Sequence, residues 1–497
     1  TPLTLADLRF FVADLRENVV LFAAYPNLGV LLAGTLLATL ATLAAVLKLE
    51  SGRGLRARLT AGIALSLMTG CFAWAQQLEP ADAALADWTE SSATYSVSFA
   101  FRHLTHQQVM PHTGIGDLLE IFLSDATVDF QKPARTLQTR FKPSSHHEVT
   151  AADRPDIFAV LEESTFNPRM LENCKHTQLC NSPLFEASHA HQEYGPLFVH
   201  TAGGGTWLSE FTFLSGFDWR IFGPGGARAP LNLSPRMQTS LPKHLKSLGY
   251  QTIAIYPVEG NYLNARQAYR HYGFDLFLAT EELGLKNDWL ATRDDLLFSK
   301  ALERLATMRD GRPVFIFLLT IRNHGPHAET PKDLPPALEP ELARLPPPLA
   351  DYLHRMRESE LAMKQLSEQW LAGTKPRVIL WFGDYQPVFA AQAKADADYA
   401  RKYFARAPTD TQLRYTTWYS MASNTARPSI PQPVERSTDI AYLGTRLLAF
   451  SGLPARASDA ATATIQTICP QGIVPCDDTK AVSDYVSFRI WDMQEIL

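Results

Sequence analysis

Three short stretches of this sequence place a carboxylate or an imidazole directly after an apolar run, and a fourth offers a hydroxyl behind three glycines. Glu162-Glu163-Ser164 follows PDIFAVL, Arg322-Asn323-His324-Gly325-Pro326-His327 follows PVFIFLLT, and Gly383-Asp384-Tyr385-Gln386-Pro387 follows RVILWF. Between the first two, Gly203-Gly204-Gly205 runs into Thr206 and Trp207. This mixture suits metal-assisted attack by a hydroxyl on an electrophile. A threonine is a poor nucleophile unless a metal or base lowers its pKa. A divalent ion held by Glu163 and Asp384 would do so, and would polarise a phosphoryl oxygen. The glycines let the loop pack tightly, and a helix starting after them would present N–H groups to an anion. Each residue also has a plainer role: acids at strand ends are usually solvated, a single histidine is usually structural, and Thr206 is a plausible helix cap with Glu210 nearby.

What brings these residues together is a set of buried strands. Pro155–Leu161, Gln251–Tyr256, Pro313–Thr320 and Arg377–Phe382 are short runs rich in Ile, Val and Phe. SLPKHLKSLGY precedes the second and LLFSKALERLATM the third, both with helical character. Wholly apolar strands alternating with helices predict an α/β fold with a mostly parallel central sheet flanked by helices. In such a sheet ligands bind beyond the carboxyl ends of the strands, where all three clusters fall. The Pro-rich stretch from His324 to Pro348 is expected to be a surface excursion or a lid.

The 497 residues carry a net charge of -5 with no long basic run, which gives no reason to expect a nucleic-acid partner. The chain opens at Thr1 without an initiator methionine, so upstream sequence is expected. Leu28–Leu47 and Leu59–Ala75 contain no charged residue and are long enough to span a bilayer as helices. Lys48, Arg53, Arg56 and Arg58 between them mark a cytoplasmic loop and send the rest of the chain to the far side. A buried helical hairpin is the competing reading. Cys174 with Cys180, and Cys469 with Cys476, form local pairs that read as disulfides in such a compartment. A zinc site from the same four is disfavoured by the absence of a CxxC spacing.

The order LEES, GGGTWLSEFTFLSG, TIRNHGP, GDYQP resembles the alkaline-phosphatase/sulfatase superfamily. Within it the chain is most similar to membrane-anchored phosphoglycerol transferases of the lipoteichoic-acid synthase and periplasmic-glucan type. The similarity runs from Arg154 to Pro454 and includes TDIAYLGTRLLAFSGLP. It implies a metal site of Glu163, Thr206 and Asp384 with one divalent ion (Mn, Mg or Zn), and Thr206 as nucleophile forming a phospho-threonine. It further implies His324 on the substrate phosphate or leaving group, with Arg266 and Trp207 as substrate contacts. The donor would be phosphatidylglycerol, or phosphatidylethanolamine in the related transferases. The acceptor would be a periplasmic or cell-surface glycan, and the protein would lie in a bacterial inner membrane with its catalytic domain outside. A degenerate, non-catalytic binding protein of a glycan pathway is the alternative from another class.

One position departs from the resemblance. Relatives carry Asp-His where this chain has Asp384-Tyr385, and that histidine is a metal ligand in them. Three readings follow: Tyr385 ligates as phenolate, His327 or His200 substitutes, or the site is weakened or lost. The expected organisation is a membrane region at 1–78, a juxtamembrane linker at 79–150, a catalytic domain at 151–455 and a C-terminal segment at 456–497.

Overall fold

The computed structural model describes residues 154–496, apart from 223–225, 227, 290–291, 328–341, 404–412 and 427–429. The stretches Leu28–Leu47 and Leu59–Ala75, and the whole of 1–78 and 79–150, lie outside the described residues. Among the described residues no helix is long and apolar enough to cross a membrane.

Five strands form the parallel part of the sheet: β1 (Asp156–Glu162), β3 (Gln251–Ile255), β4 (Leu276–Leu278), β5 (Val314–Leu319) and β6 (Arg377–Gly383). β2 (Gln192–Phe198), β7 (Thr416–Ser423), β8 (Val434–Glu435) and β9 (Thr438–Asp439) complete it. The order is β4-β3-β5-β1-β6-β7-β2-β8, with β9 also on β2. β7 runs antiparallel to both β6 and β2, so the sheet is mixed rather than purely parallel. The four strands expected from apolar runs are those at its centre. Every residue of β1, β3 and β5 is buried, which is why they read as continuous apolar runs instead of alternating ones.

Helices cover both faces. α1 (Thr206–Ser215) lies on one, where Phe213 packs 5.6 Å from the ring of Phe317 and 4.7 Å from that of Phe382. α2 (Leu241–Ser247) leads into β3, and α3 (Ala265–Tyr272) leads into β4. On the opposite face α4 (Asp294–Met308) packs with α5 (Pro347–Leu371), whose Trp370 meets Phe158 of β1 edge-on at 5.2 Å. The end of the Pro-rich stretch is therefore not loop: Pro347 and Pro348 open α5, where proline's missing N–H has no partner to lose.

α6 (Ile440–Phe450), α7 (Asp459–Ile468) and α8 (Thr479–Ser487) follow the sheet. Just beyond α8, the fully buried Arg489 donates to the carbonyls of Ser215 and Gly216 and to Glu495. Its charge faces the negative end of the α1 dipole. Both cysteine pairs form disulfides, Cys174–Cys180 and Cys469–Cys476, so none of the four is available to zinc.

Candidate active site

Parallel register brings the acids together. Leu161 pairs with Phe382 and Glu162 with Gly383, so the next residues along, Glu163 and Asp384, emerge side by side from adjacent strands. β5 flanks β1 on its other side and is followed by Thr320, whose hydroxyl accepts from the Glu163 N–H at 3.0 Å and donates to Glu162 at 3.3 Å.

The turn after β1 is tight. Ser164 has φ 50°, a left-handed backbone for a non-glycine residue, which costs about 1–3 kcal/mol unless its surroundings enforce it. Enforcement is visible: the Ser164 N–H donates to Asp384 Oδ1 at 2.8 Å, its hydroxyl donates to Glu163 Oε1 at 2.9 Å, and Tyr352 of α5 donates to its carbonyl at 3.0 Å. Gly383 makes the crossing possible, since a Cβ there would sit 1.7 Å from the Thr165 carbonyl oxygen.

The glycine loop delivers Thr206 to the same place. Gly203, Gly204 and Gly205 all have positive φ (68°, 144° and 95°), a path no other residue type follows readily. The loop is stitched to the end of β6: the Gly203 N–H donates to the Gln386 carbonyl at 2.8 Å, and the Ser209 hydroxyl donates to that of Asp384 at 2.9 Å. Gly205 occupies the cap position of α1 and Thr206 is its first residue. The Thr206 hydroxyl is thus not the helix cap; it donates to Glu163 Oε2 at 3.1 Å. Tyr385 donates its phenolic hydrogen to the other oxygen, Oε1.

Glu163 and Asp384 are both buried, and among the described residues no Lys or Arg side chain pairs with either. Burial, then the charge of Glu163, push the Asp384 carboxyl well above the usual carboxylate range. Asp384 Oδ2 is buried without a hydrogen-bond partner. Glu162 is likewise raised, by burial and then by Asp294, and its Oε1 has no partner. Burial, then Glu163 and Asp384, lift the Tyr385 phenol well above its ordinary value, so it is a neutral hydroxyl here. Within α1, Glu210 is pushed up to about 8 by burial, against the pull of the Tyr269 hydroxyl, which donates to it at 2.8 Å.

Among the described residues no group of three or more His, Cys, Asp or Glu side chains is arranged to hold a metal ion. The candidate ligands are instead two carboxylates and a hydroxyl: Glu163, Asp384 and Thr206. These fit a divalent cation, because an orphaned carboxylate oxygen and two adjacent buried acids are what such an ion would satisfy.

The remaining expected residues are placed less uniformly. His324 follows β5 with its Nδ1 2.6 Å from the Gly325 carbonyl. That oxygen can only accept, so Nδ1 carries the hydrogen of this bond and Nε2 takes no part in it. The ring lies edge-on to Trp289 at 5.3 Å. Trp207 is half-buried beside Thr206. Arg266 is engaged elsewhere: it pairs with Glu282 at 2.9 Å and Glu281 at 3.6 Å, and lies over the Phe277 ring. Of the substitutes for the missing histidine, His200 is clamped between Asp439 at 2.8 Å and Asp218 at 3.2 Å. His327 packs edge-on to Tyr352 and Phe389. Sequence reasoning missed Thr320, Tyr352 and Ser209, which hold the acids and the turn. Thr320 sat in plain view at the end of an apolar run.

The strand ends of this buried mixed sheet thus bring a threonine hydroxyl and two buried acids together. Residues 155–385 match the Sulfatase family model, a span that includes Glu163, Thr206, His324, Asp384 and Tyr385, and the chain carries a sulfatase-family domain. It is similar to an uncharacterized protein of Haemophilus influenzae, 32% identical over 63% of this chain and 56% of the relative. A putative cyclic beta-1,2-glucan modification protein of Rhizobium meliloti is 25% identical over 48% of this chain and 37% of its own length. The chain thus spans about half or less of these curated relatives. Among solved structures it aligns with the Streptococcus pyogenes phosphoglycerol transferase GacH at a TM-score of 0.48 and 16% identity, over 70% of this chain and 91% of that one.

Proposed function

We propose that this chain transfers phosphoglycerol from phosphatidylglycerol to a glycan hydroxyl through a phospho-threonine on Thr206. The observation that carries the reading is the 3.1 Å hydrogen bond from the Thr206 hydroxyl to Glu163 Oε2, beside the partnerless Asp384 Oδ2. A hydroxyl at the first position of a helix, with its proton already directed at a buried carboxylate, is arranged to attack. The glucan-modification name of the Rhizobium relative agrees with a glycan acceptor.

Glu163, Asp384 and Thr206 would hold one divalent cation, which supplies charge neutralisation for the donor phosphate and a lower pKa for the threonine. The chain's residues do the rest. Thr206 Oγ gives up its proton toward Glu163 Oε2 and bonds to phosphorus as the bond to the diacylglycerol oxygen breaks. His324 Nε2 faces the phosphate or supplies the proton that the departing oxygen needs. In the second half the acceptor hydroxyl gives its proton to His324 Nε2 and attacks the same phosphorus, the bond from phosphorus to Thr206 Oγ breaks, and Oγ takes its proton back from Glu163. The α1 N-terminus presents backbone N–H groups to the phosphate oxygens. Leu28–Leu47 and Leu59–Ala75 would hold the site beside its lipid donor, raising its effective concentration, with the catalytic domain on the outer face of a bacterial inner membrane.

The test is release of diacylglycerol from phosphatidylglycerol and from phosphatidylethanolamine by the full chain in detergent. Release from phosphatidylglycerol that is lost in Thr206→Ala supports the reading. Release only from phosphatidylethanolamine moves the donor to the related head group, and release from neither overturns transfer from both.

A further inference from the structure

The cation-binding set of this chain is made of oxygen alone. Glu163 and Asp384 offer carboxylates and Thr206 a hydroxyl. Directly after Asp384 comes Tyr385, whose hydroxyl points at Glu163 Oε1 and donates to it. The phenol directs its hydrogen at that carboxylate, and it brings no nitrogen to the set. Among the described residues no histidine joins Glu163 and Asp384 in a group of three that could hold a metal ion, although His327 Nε2 is buried without a partner. His200 is bridged between Asp218 and Asp439, His327 is packed against Tyr352 and Phe389, and His324 directs Nδ1 to its own loop. Oxygen-only sets suit magnesium and manganese, whereas imidazole nitrogen strengthens zinc binding disproportionately.

We propose that Tyr385 is a specificity-determining residue: it orients Glu163 from outside the ligand set, and so biases the centre toward hard, oxygen-preferring divalent cations and away from zinc. The inference rests on the reading of this centre as a cation site. Tyr385 is buried at 3% exposure and follows Asp384 directly in the chain. Its hydrogen bond fixes the Glu163 carboxylate so that Oε2 faces Thr206. Tyr385 acts on the metal through Glu163, and is therefore a positioning residue.

The test measures binding rather than turnover. Full-length wild type, Tyr385→His and Tyr385→Phe, each stripped of metal and checked for an unchanged circular dichroism spectrum, are titrated by equilibrium dialysis with Mn²⁺ and with Zn²⁺. Tyr385→His is expected to tighten Zn²⁺ at least tenfold relative to Mn²⁺. Tyr385→Phe is expected to keep the wild-type ratio while weakening both ions a few-fold, since only the orientation of Glu163 is lost. An unchanged ratio in Tyr385→His overturns the proposal. So does a selective loss of one ion in Tyr385→Phe, which would make the phenol a ligand. Absence of binding of either ion to wild type overturns it too, and diacylglycerol release measured on the same sample then shows whether the transferase reading falls with it.

Discussion

Tyr385 and Glu163 share a buried hydrogen bond in which the phenol donates to Oε1, leaving Oε2 to accept from Thr206 at 3.1 Å. With the Ser164 hydroxyl also donating to Oε1, one carboxylate serves three hydroxyls, and all need it as an acceptor. Glu163→Gln preserves shape but replaces one acceptor oxygen with an N–H₂ donor, so one hydroxyl must lose its partner. Diacylglycerol release should fall by about 10²–10⁴-fold, the range spanned by loss of a proton-transfer group. The fold should survive, read as an unchanged circular dichroism spectrum. Activity within a few-fold of wild type would remove Glu163 from the chemistry.

Gly383 tests the crossing that brings β1 and β6 into reach of each other. A Cβ at that position would lie 1.7 Å from the Thr165 carbonyl oxygen, and the obstructing atom is backbone. Gly383→Ala should destabilise the protein by roughly 3 kcal/mol or more, at the upper end of overpacking effects. Thermal or denaturant unfolding measures it. A variant as stable as wild type would mean that the turn after β1 yields easily.

Arg489 ties the C-terminal segment to the helix that carries Thr206. It is fully buried, pairs with Glu495 and donates to the carbonyls that end α1. Arg489→Met leaves Glu495 buried without its partner, which costs about 3–5 kcal/mol. Adding Glu495→Gln should recover part of that loss. A denaturant series over the two single variants and the double variant measures the coupling, and strictly additive losses would contradict it.

His327 sets a pH dependence on the acid side. Burial, and next the charge of Arg355, hold its pKa down to about 4, whereas an unfolded histidine titrates near 6.5. As pH falls from about 6.5 to about 4, the unfolded chain binds a proton that the folded one refuses. Stability should therefore decline over that window by roughly 3 kcal/mol from this group alone, with no slope from it at higher pH. His327→Phe should flatten the profile there. An unchanged profile would place the acid sensitivity in other groups.

The centre of the sheet was legible because its strands are buried on both faces: PDIFAVL, QTIAIY, PVFIFLLT and RVILWF are uniform apolar runs, the signature of parallel strands. β2 and β7 were not. β2 (QEYGPLF) is broken by Gly195 and Pro196, and β7 (TTWYSMAS) mixes polar residues that are nonetheless buried, so neither carries the signal. Glu163, Asp384 and Thr206 could be placed on one edge from strand order and the glycine run, and the structure brings those three together. The substrate side was harder. The resemblance of NYLNARQAYRHYGFD implies Arg266 as a phosphate contact; in the structure Glu281 and Glu282, some 15 residues on, engage it, a pairing that only the packing of α3 reveals. The role of Tyr385 was equally out of reach, since it depends on where a hydroxyl points.

The measurement closest to the central claim is the intact mass of the full chain after incubation with phosphatidylglycerol and no glycan acceptor. The account predicts a glycerol-phosphate adduct on wild type, mapped to the peptide carrying Thr206, absent from Thr206→Ala, and discharged when an acceptor glycan is added. Diacylglycerol release without any adduct, or an adduct that persists in Thr206→Ala, would contradict it.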